Sequence, residues 1–393
     1  MENPQENIVD KIYKLRKNFV IIGLTGRTGS GCTTVAKILQ TQHPEEFKTE
    51  YREINTDPIN NDVRKNRIIY RYILKNWSPF TVVKASDIIF FYALLQSFDE
   101  FSKSLANSSN KEDGDGKFSE SSTAHSNEIL QDLDKVKDKF EELSLIAKDC
   151  NHFLGTESKD YSKVDIDKFI KLILEDIPDF REELAKALEK SKKILSNELQ
   201  TWGNNIRVYD SIVGSNQDNQ SDHAPSCLAR KINQFIKLIR DHNKRDGNPT
   251  LIAIDALRNP YEVLYFRERY AAFYLMSINT TEQIRKQKLF EQGYRNDEIK
   301  RLDEREGVKK EFKSQYTGLD IDKCIELSDI HITHDGTEYT NNRKLTNQII
   351  TYISLMLHPG LVPPSPIERV MQVAYTAKLN SGCLSRQGGA GGS

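Results

Sequence analysis

The sequence predicts an α/β protein built on a mainly parallel, doubly wound sheet. Three observations predict it. Short β-branched apolar runs read as buried strands, amphipathic stretches of helical period alternate with them, and a glycine-rich turn follows the first run directly. The order of elements comes from the same patterns. A helix with Ile8, Ile12 and Leu15 on one stripe (residues 1–18) leads into the strand Phe19–Ile22, bounded by glycine. A helix then opens near Thr33, residues 61–77 are helical, Phe80–Val83 is a strand, and Ile88–Leu95 lies in an apolar helix.

Composition changes after that. Residues 97–127 are rich in Ser, Asn, Asp, Lys and Gly, which predicts a mobile loop, because such a stretch buries too little apolar surface to offset its ordering entropy. Residues 128–200 carry helical periodicity with alternating charge. They read as solvated helices packed as an insertion, with a coiled-coil or partner-binding face as the alternative. Together these make an insertion over about 96–205, and a second polar stretch over 214–223 reads as a loop. The α/β pattern resumes with the helix Leu228–His242, the strand Leu251–Ile254 ending at Asp255, a helix over 260–270 and the strand Phe273–Ile278. Residues 280–315 are charged and mostly helical. Asp329–Thr333 is one more strand and Asn342–Leu357 the closing helix, so the α/β domain runs over 19–357. A proline-rich linker (358–365) precedes a helix over Pro366–Ser381, and the chain ends in GGAGGS (388–393), which reads as a linker or scar.

The bulk numbers exclude several classes. At 393 residues the chain has room for two or three domains, and 37% hydrophobic with 29% charged residues describes a soluble chain whose core is diluted by polar segments. No apolar run approaches the roughly 20 residues that span a bilayer, and the charged N-terminus has no signal-peptide core, so a cytoplasmic location with no membrane partner is expected. A formal net charge of −1 argues against a general polyanion-binding surface. The five cysteines, Cys32, Cys150, Cys227, Cys324 and Cys383, contain no C-x-x-C and read as reduced thiols. His43-Pro44-Glu45 is an H-x-E string with no P-C-x-x-C after it, and it does not read as a metal site.

The chemistry concentrates in Gly26-Arg27-Thr28-Gly29-Ser30-Gly31-Cys32-Thr33, followed by Thr34. This is the P-loop spacing G-x-x-x-x-G-K-[ST], with cysteine where lysine belongs. Gly26, Gly29 and Gly31 let backbone N–H groups turn inward around an anion, and the helix behind adds its positive end. Thr33 is placed to hold Mg²⁺. The strand before and helix after make the pattern specific; a glycine-rich turn that binds nothing is the alternative. Cys32 supplies none of the charge with which the lysine offsets phosphoryl transfer. At a helix N-terminus it is also a candidate redox-sensitive thiol, against the plain reading of a small residue in a binding loop. Asp255 stands where a Walker B carboxylate reaches Mg²⁺ through water, or is a strand-end turn residue. Arg285, Arg301 and Arg305 lie in the charged stretch 285–305, which suits a lid closing over phosphates or a solvated helix. Ile332–Thr337 (ITHDGT) is a weak candidate for a loop against a nucleobase.

These segments resemble a known arrangement. GLTGRTGSGCTTVA, IAIDALRNPYEVLYFRERYAAFYLMSIN and SDIHITHDGT are similar to nucleotide kinases of the dephospho-CoA kinase type. PPSPIERVMQVAYTAKLNSGCLSRQ resembles the first helix of a deoxycytidylate deaminase domain (here 366–387). The pair is the architecture of the anti-phage dCTP deaminases, so the fold class expected is a P-loop nucleotide-kinase-like sheet with a helical insertion plus the start of a deaminase-like domain. That family deaminates deoxycytidine nucleotides through a zinc-bound water, with an H-x-E and a downstream P-C-x-x-C motif. This sequence contains neither in that arrangement, so no zinc ligand and no catalytic residue is assigned, and Cys383 is not in a zinc motif. The resemblance implies a nucleotide-binding regulatory module with Mg²⁺ and a triphosphate at the loop. An active nucleotide kinase and a partner platform on the insertion are the alternatives. The partners it implies are the nucleotide and the deaminase domain, with a second copy of the chain, a regulatory RNA or a phage factor as further candidates. The apolar stripe Ile367, Val370, Met371, Ala374 and Ala377 would pack on a deaminase sheet.

Overall fold

The computed structural model describes residues 17–49, 51, 61–109, 120–155, 162–188, 192–214, 221–307, 318–335, 342–378 and 380. The helix expected around Ile8–Leu15, the residue Cys383 and the glycine-rich tail lie outside them.

Five parallel strands form one sheet: β1 (Phe19–Thr25), β2 (Thr81–Lys84), β3 (Thr250–Asp255), β4 (Phe273–Asn279) and β5 (Ile330–Thr333). Their order is β2-β3-β1-β4-β5, which puts β1 in the centre. The register Val20↔Leu251, Leu24↔Asp255 and Thr25↔Ser277 aligns the carboxyl ends of β1, β3 and β4, where ligands bind in open α/β sheets. β1 is buried on both faces, as its unbroken apolar run requires of a central parallel strand.

One face of the sheet, with Val20, Ile22, Leu24, Ala253 and Met276, is covered by α1 (Cys32–Leu39), α2 (Asn61–Asn76) and α15 (Arg343–Leu357). The other, with Ile21, Ile252, Ile254 and Leu275, is covered by α3 (Ala85–Leu94), α10 (Cys227–Arg245) and α11 (Pro260–Arg269). Layers on both faces make the sheet doubly wound, as the alternation of elements predicts.

Between α3 and α10 lie α4 (Phe98–Ser109), α5 (Glu120–Asp134), α6 (Lys137–Cys150), α7 (Lys163–Lys171), α8 (Ile177–Ala187) and α9 (Lys192–Tyr209). This corrects the mobile loop expected over 97–127. Phe98–Ser109 and Glu120–Asp134 are helices, and residues 110–119 lie outside the described part. The average polarity of the stretch hid a sparse apolar stripe: Phe98, Phe101, Leu105, Ile129 and Leu133 are all buried. The insertion is continuous with the sheet's core. Phe90 of α3 packs against Phe101 and Phe180, and Phe101 stacks toward Phe140 with ring centroids 4.6 Å apart. Ion pairs tie the same seam, with Arg207 Nε donating to Glu262 at 2.8 Å in a buried pair and the part-buried Arg181 donating to Asp87 and to Ser86 Oγ.

After β4 come α12 (Glu282–Glu291) and α13 (Asn296–Glu306), then α14 (Ile321–Glu326) before β5. α16 (Pro366–Lys378) leaves Ile367, Met371, Val373 and Tyr375 exposed, while Ala374 is buried. Among the described residues no helix is long and apolar enough to cross a membrane.

Candidate functional site

The loop leaving β1 is shaped by its glycines. Gly26 has φ 156° and Gly31 φ 113°, backbone that favours glycine. A Cβ on Gly31 would lie 2.4 Å from His334 Nδ1, and one on Gly26 would lie 2.7 Å from the Ile278 carbonyl oxygen. The loop closes on itself through Ser30 N–H to Arg27 O at 2.9 Å. Gly31 is the N-cap of α1, provides no side-chain cap, and no acidic residue follows in the first turn. The first-turn amides of Cys32, Thr33 and Thr34 have no acceptor within their own helix, so the positive end of the helix lies at the loop.

Asp255 ends β3 beside the loop, 9% exposed, and accepts from the Thr33 hydroxyl at 3.3 Å. Burial pushes its carboxyl up, against the opposing pull of Arg258, Lys84 and the Thr33 hydroxyl. The two residues expected to approach a metal therefore do lie together.

Cys32 is buried, with Ser30 Oγ 3.8 Å from its sulfur. Burial, reinforced by the field of Asp255, pushes the thiol up to about 12, although Arg258 and the Ser30 hydroxyl oppose this. Burial of this thiol weighs against the redox-sensitive alternative and favours the plain reading of a small residue in the loop. Cys150, Cys227 and Cys324 are also free and buried.

The charged stretch folds as the helical pair α12–α13 against the loop. Arg285, only 2% exposed, donates to Asp303 at 2.7 and 2.9 Å, to Glu282 at 3.0 Å and to the Thr28 carbonyl at 3.3 Å. Its charge is turned toward the pair's own carboxylates. Arg301 is half exposed and lies 3.9 Å from Asp297, and the side chain of Arg305 lies outside the described part. Arg27 pairs with Asp322 at 3.0 Å on the surface.

Sequence reasoning missed Glu306 and Arg258, which the fold brings to the loop, and reached His334 only as part of the candidate string Ile332–Thr337. Glu306, the last residue of α13 and 3% exposed, accepts the Thr28 N–H at 3.2 Å on both oxygens and the Thr28 hydroxyl as well. Arg258 donates to the same carboxylate at 3.1 Å. His334 lies under the loop, its Nδ1 3.0 Å from Ser30 O and 3.2 Å from Lys288 Nζ. The histidine belongs to the ITHDGT string read as a loop against a base, and it supports the glycine turn from below; residues 336–341 lie outside the described part. A signal for Arg258 existed, since it stands three residues past the strand-end aspartate. Glu306 had none, because its charge was one among many in a polar helix.

Comparison with family models, curated proteins and solved structures returns no match. The geometry therefore stands alone. In the string His43-Pro44-Glu45, His43 is the N-cap of a short 3₁₀ turn at Pro44–Glu46. Among the described residues no three His, Cys, Asp or Glu side chains gather as a metal-binding group. A cation at Thr33 and Asp255 would have to complete its shell with water and phosphate oxygens.

Proposed function

We propose that this chain is a nucleotide-binding P-loop module that holds a triphosphate with Mg²⁺, and that phosphate binding serves recognition or control. The observation that carries the reading is the pairing of an uncapped, glycine-turned helix start with the Thr33–Asp255 oxygen pair on the neighbouring strand. Three features belong together in such a site: inward amides for phosphate oxygens, a hydroxyl, and a carboxylate for a hard cation.

The residues present fit Mg²⁺. That ion favours hard oxygen donors, retains several waters and takes one or two carboxylates plus phosphates. Asp255 and Thr33 offer such oxygens, and a buried carboxyl with a raised pKa is stabilised in its charged form by a nearby cation. When bound, the ion would neutralise phosphate charge. Thr33 and Asp255 would fix its place, while the glycine turn would orient the phosphate chain.

The resemblance to anti-phage dCTP deaminases supports a regulatory role, in the cytoplasm, beside a zinc deaminase domain. Deoxycytidine deamination is not proposed for this sequence, which has no H-x-E followed by P-C-x-x-C. The buried insertion argues against the partner-platform alternative, since its aromatic residues are spent on the core. One observation favours a kinase as second reading: Arg258 brings a guanidinium to the loop where the lysine is missing. A γ-phosphate transfer assay separates the two, and robust turnover by the wild type would replace control with catalysis.

Calorimetry with ATP and dCTP, with and without Mg²⁺, tests the binding itself. Asp255→Asn should remove most of the Mg²⁺ enhancement while leaving metal-free binding. For the wild type that enhancement should fade as pH drops through the raised Asp255 pKa, because a proton then takes the cation's place. Equal metal enhancement in wild type and variant would exclude Asp255 from the site.

A further inference from the structure

We infer that Thr28 and Arg258 form the seat for one oxyanion group of the ligand, its terminal phosphate, and that Glu306 occupies this seat until the ligand displaces it. The inference rests on the nucleotide reading above and goes beyond it by naming the donors and the internal competitor.

Three donors from two separate segments converge on a single carboxylate. The Thr28 amide reaches both oxygens at 3.2 Å, the Thr28 hydroxyl reaches Oε1, and Arg258 Nη1 reaches Oε1 at 3.1 Å. A backbone amide, a hydroxyl and a guanidinium are the donor types that hold phosphate as readily as carboxylate. The acceptor is not solvent-facing decoration: Glu306 is 3% exposed although it closes an otherwise polar helix.

The seat is braced from the sheet. The Leu257 amide donates to Leu24 O at 2.8 Å, and Asn259, fully buried, caps α11 and donates to Gly318 O at 2.8 Å. Arg258 is therefore held between two anchored neighbours. Its positive field reaches Cys32 and Asp255 as well. A guanidinium beside the loop can thus supply the charge that Cys32 does not.

The occupant is braced differently. α13 is held over the loop through Arg285, whose guanidinium joins Asp303, Glu282 and the Thr28 carbonyl, and through a small cluster of Leu289, Ile299 and Leu302. A triphosphate that takes the seat puts like charge against Glu306 and expels the end of α13. Phosphate binding and lid position then become one equilibrium.

The test uses the full chain with Mg-ATP and, separately, inorganic tripolyphosphate, comparing wild type, Glu306→Gln, Arg258→Gln and Arg258→Lys. Melting curves confirm that each is folded. Glu306→Gln keeps the shape and removes the competing charge, so both ligands should bind about tenfold tighter or more. Arg258→Gln should weaken both by a similar factor, and Arg258→Lys should recover part of the loss.

If wild type binds Mg-ATP and none of these variants changes its affinity, the seat is elsewhere and the nucleotide reading survives. If tripolyphosphate binds in an Arg258-dependent way and ATP binds no better, the seat stands and the nucleotide reading falls. If neither ligand binds wild type or Glu306→Gln, both are overturned. A Glu306→Gln chain that melts earlier but binds with unchanged affinity would reduce the contact to a structural clasp and overturn the inference.

Discussion

The protein carries two charged helical additions to its sheet, and they are held by opposite means. The insertion, Phe98–Tyr209, buries Phe101, Phe140, Phe169, Phe180 and Trp202 in one cluster that runs unbroken into the sheet. The pair α12–α13 buries only Leu289, Ile299 and Leu302 in a cluster of its own and relies on Arg285, Asp303, Glu282 and Glu306. Apolar burial scales with area and is not weakened by screening, whereas a docked set of charges whose carboxylates are partly exposed can be screened by ions and displaced by ligands. The difference predicts that the first addition is scaffold and that the second can move.

The largest effect expected is on the scaffold side. Phe140→Ala leaves a cavity among Phe98, Phe101 and Phe180 and should cost about 3–5 kcal/mol of global stability. Chemical denaturation would show it as one cooperative shift. A biphasic curve, with the insertion melting separately, would break the comparison.

Next comes the loop. Gly31→Ala meets both a φ of 113° and His334 Nδ1 2.4 Å from the new Cβ. It should cost about 1–3 kcal/mol of strain and abolish triphosphate binding in calorimetry. Unchanged affinity would mean that phosphate does not contact this turn.

Arg285→Gln sharpens the contrast from the lid side. Glu282 is half exposed and Asp303 a third exposed, so both carboxylates can rehydrate when the lid lifts. The cost is then capped near the docking free energy of the pair, about 1–3 kcal/mol. Proteolysis at α12–α13 should rise with little change in the melting of the sheet. A global loss equal to that of Phe140→Ala would show that the lid is part of the core.

The smallest effect is chemical. With its pKa near 12, Cys32 should resist thiol-directed reagents at pH 8 in the folded chain and react once denaturant is added. Rapid modification of the native protein, mapped to Cys32 by mass spectrometry, would contradict its burial.

Much of this architecture was legible in the sequence, for a physical reason. Central parallel strands are buried on both faces, so Phe19–Ile22 and Leu251–Ile254 stand out as apolar runs, and a glycine turn after one of them marks the carboxyl end of the sheet. Thr33 and Asp255 could be paired because each sits at a fixed offset from such a strand. The helices at Phe98–Ser109 and Glu120–Asp134 were not legible, since a few apolar residues at helical spacing are lost in a polar average. The pair α12–α13 was half legible. Its helical charge was evident, but which arginine turns inward depends on Asp303 and the Thr28 carbonyl, partners distant in sequence. Arg285 therefore ties the helical pair together and to the Thr28 carbonyl, and Arg258, outside the charged stretch, is the guanidinium that shares an acceptor with the loop.

Hydrogen exchange read by mass spectrometry tests the central claim most directly, with peptides from β1 and β3 compared against peptides from α12–α13. At low and high salt, with and without tripolyphosphate, the lid peptides should exchange faster as salt rises while the strand peptides hold. Tripolyphosphate should protect the Gly26–Thr34 segment and deprotect the end of α13. Lid and strand peptides exchanging in step under every condition, with the loop unaffected by tripolyphosphate, would contradict both the movable lid and the anion seat beneath it.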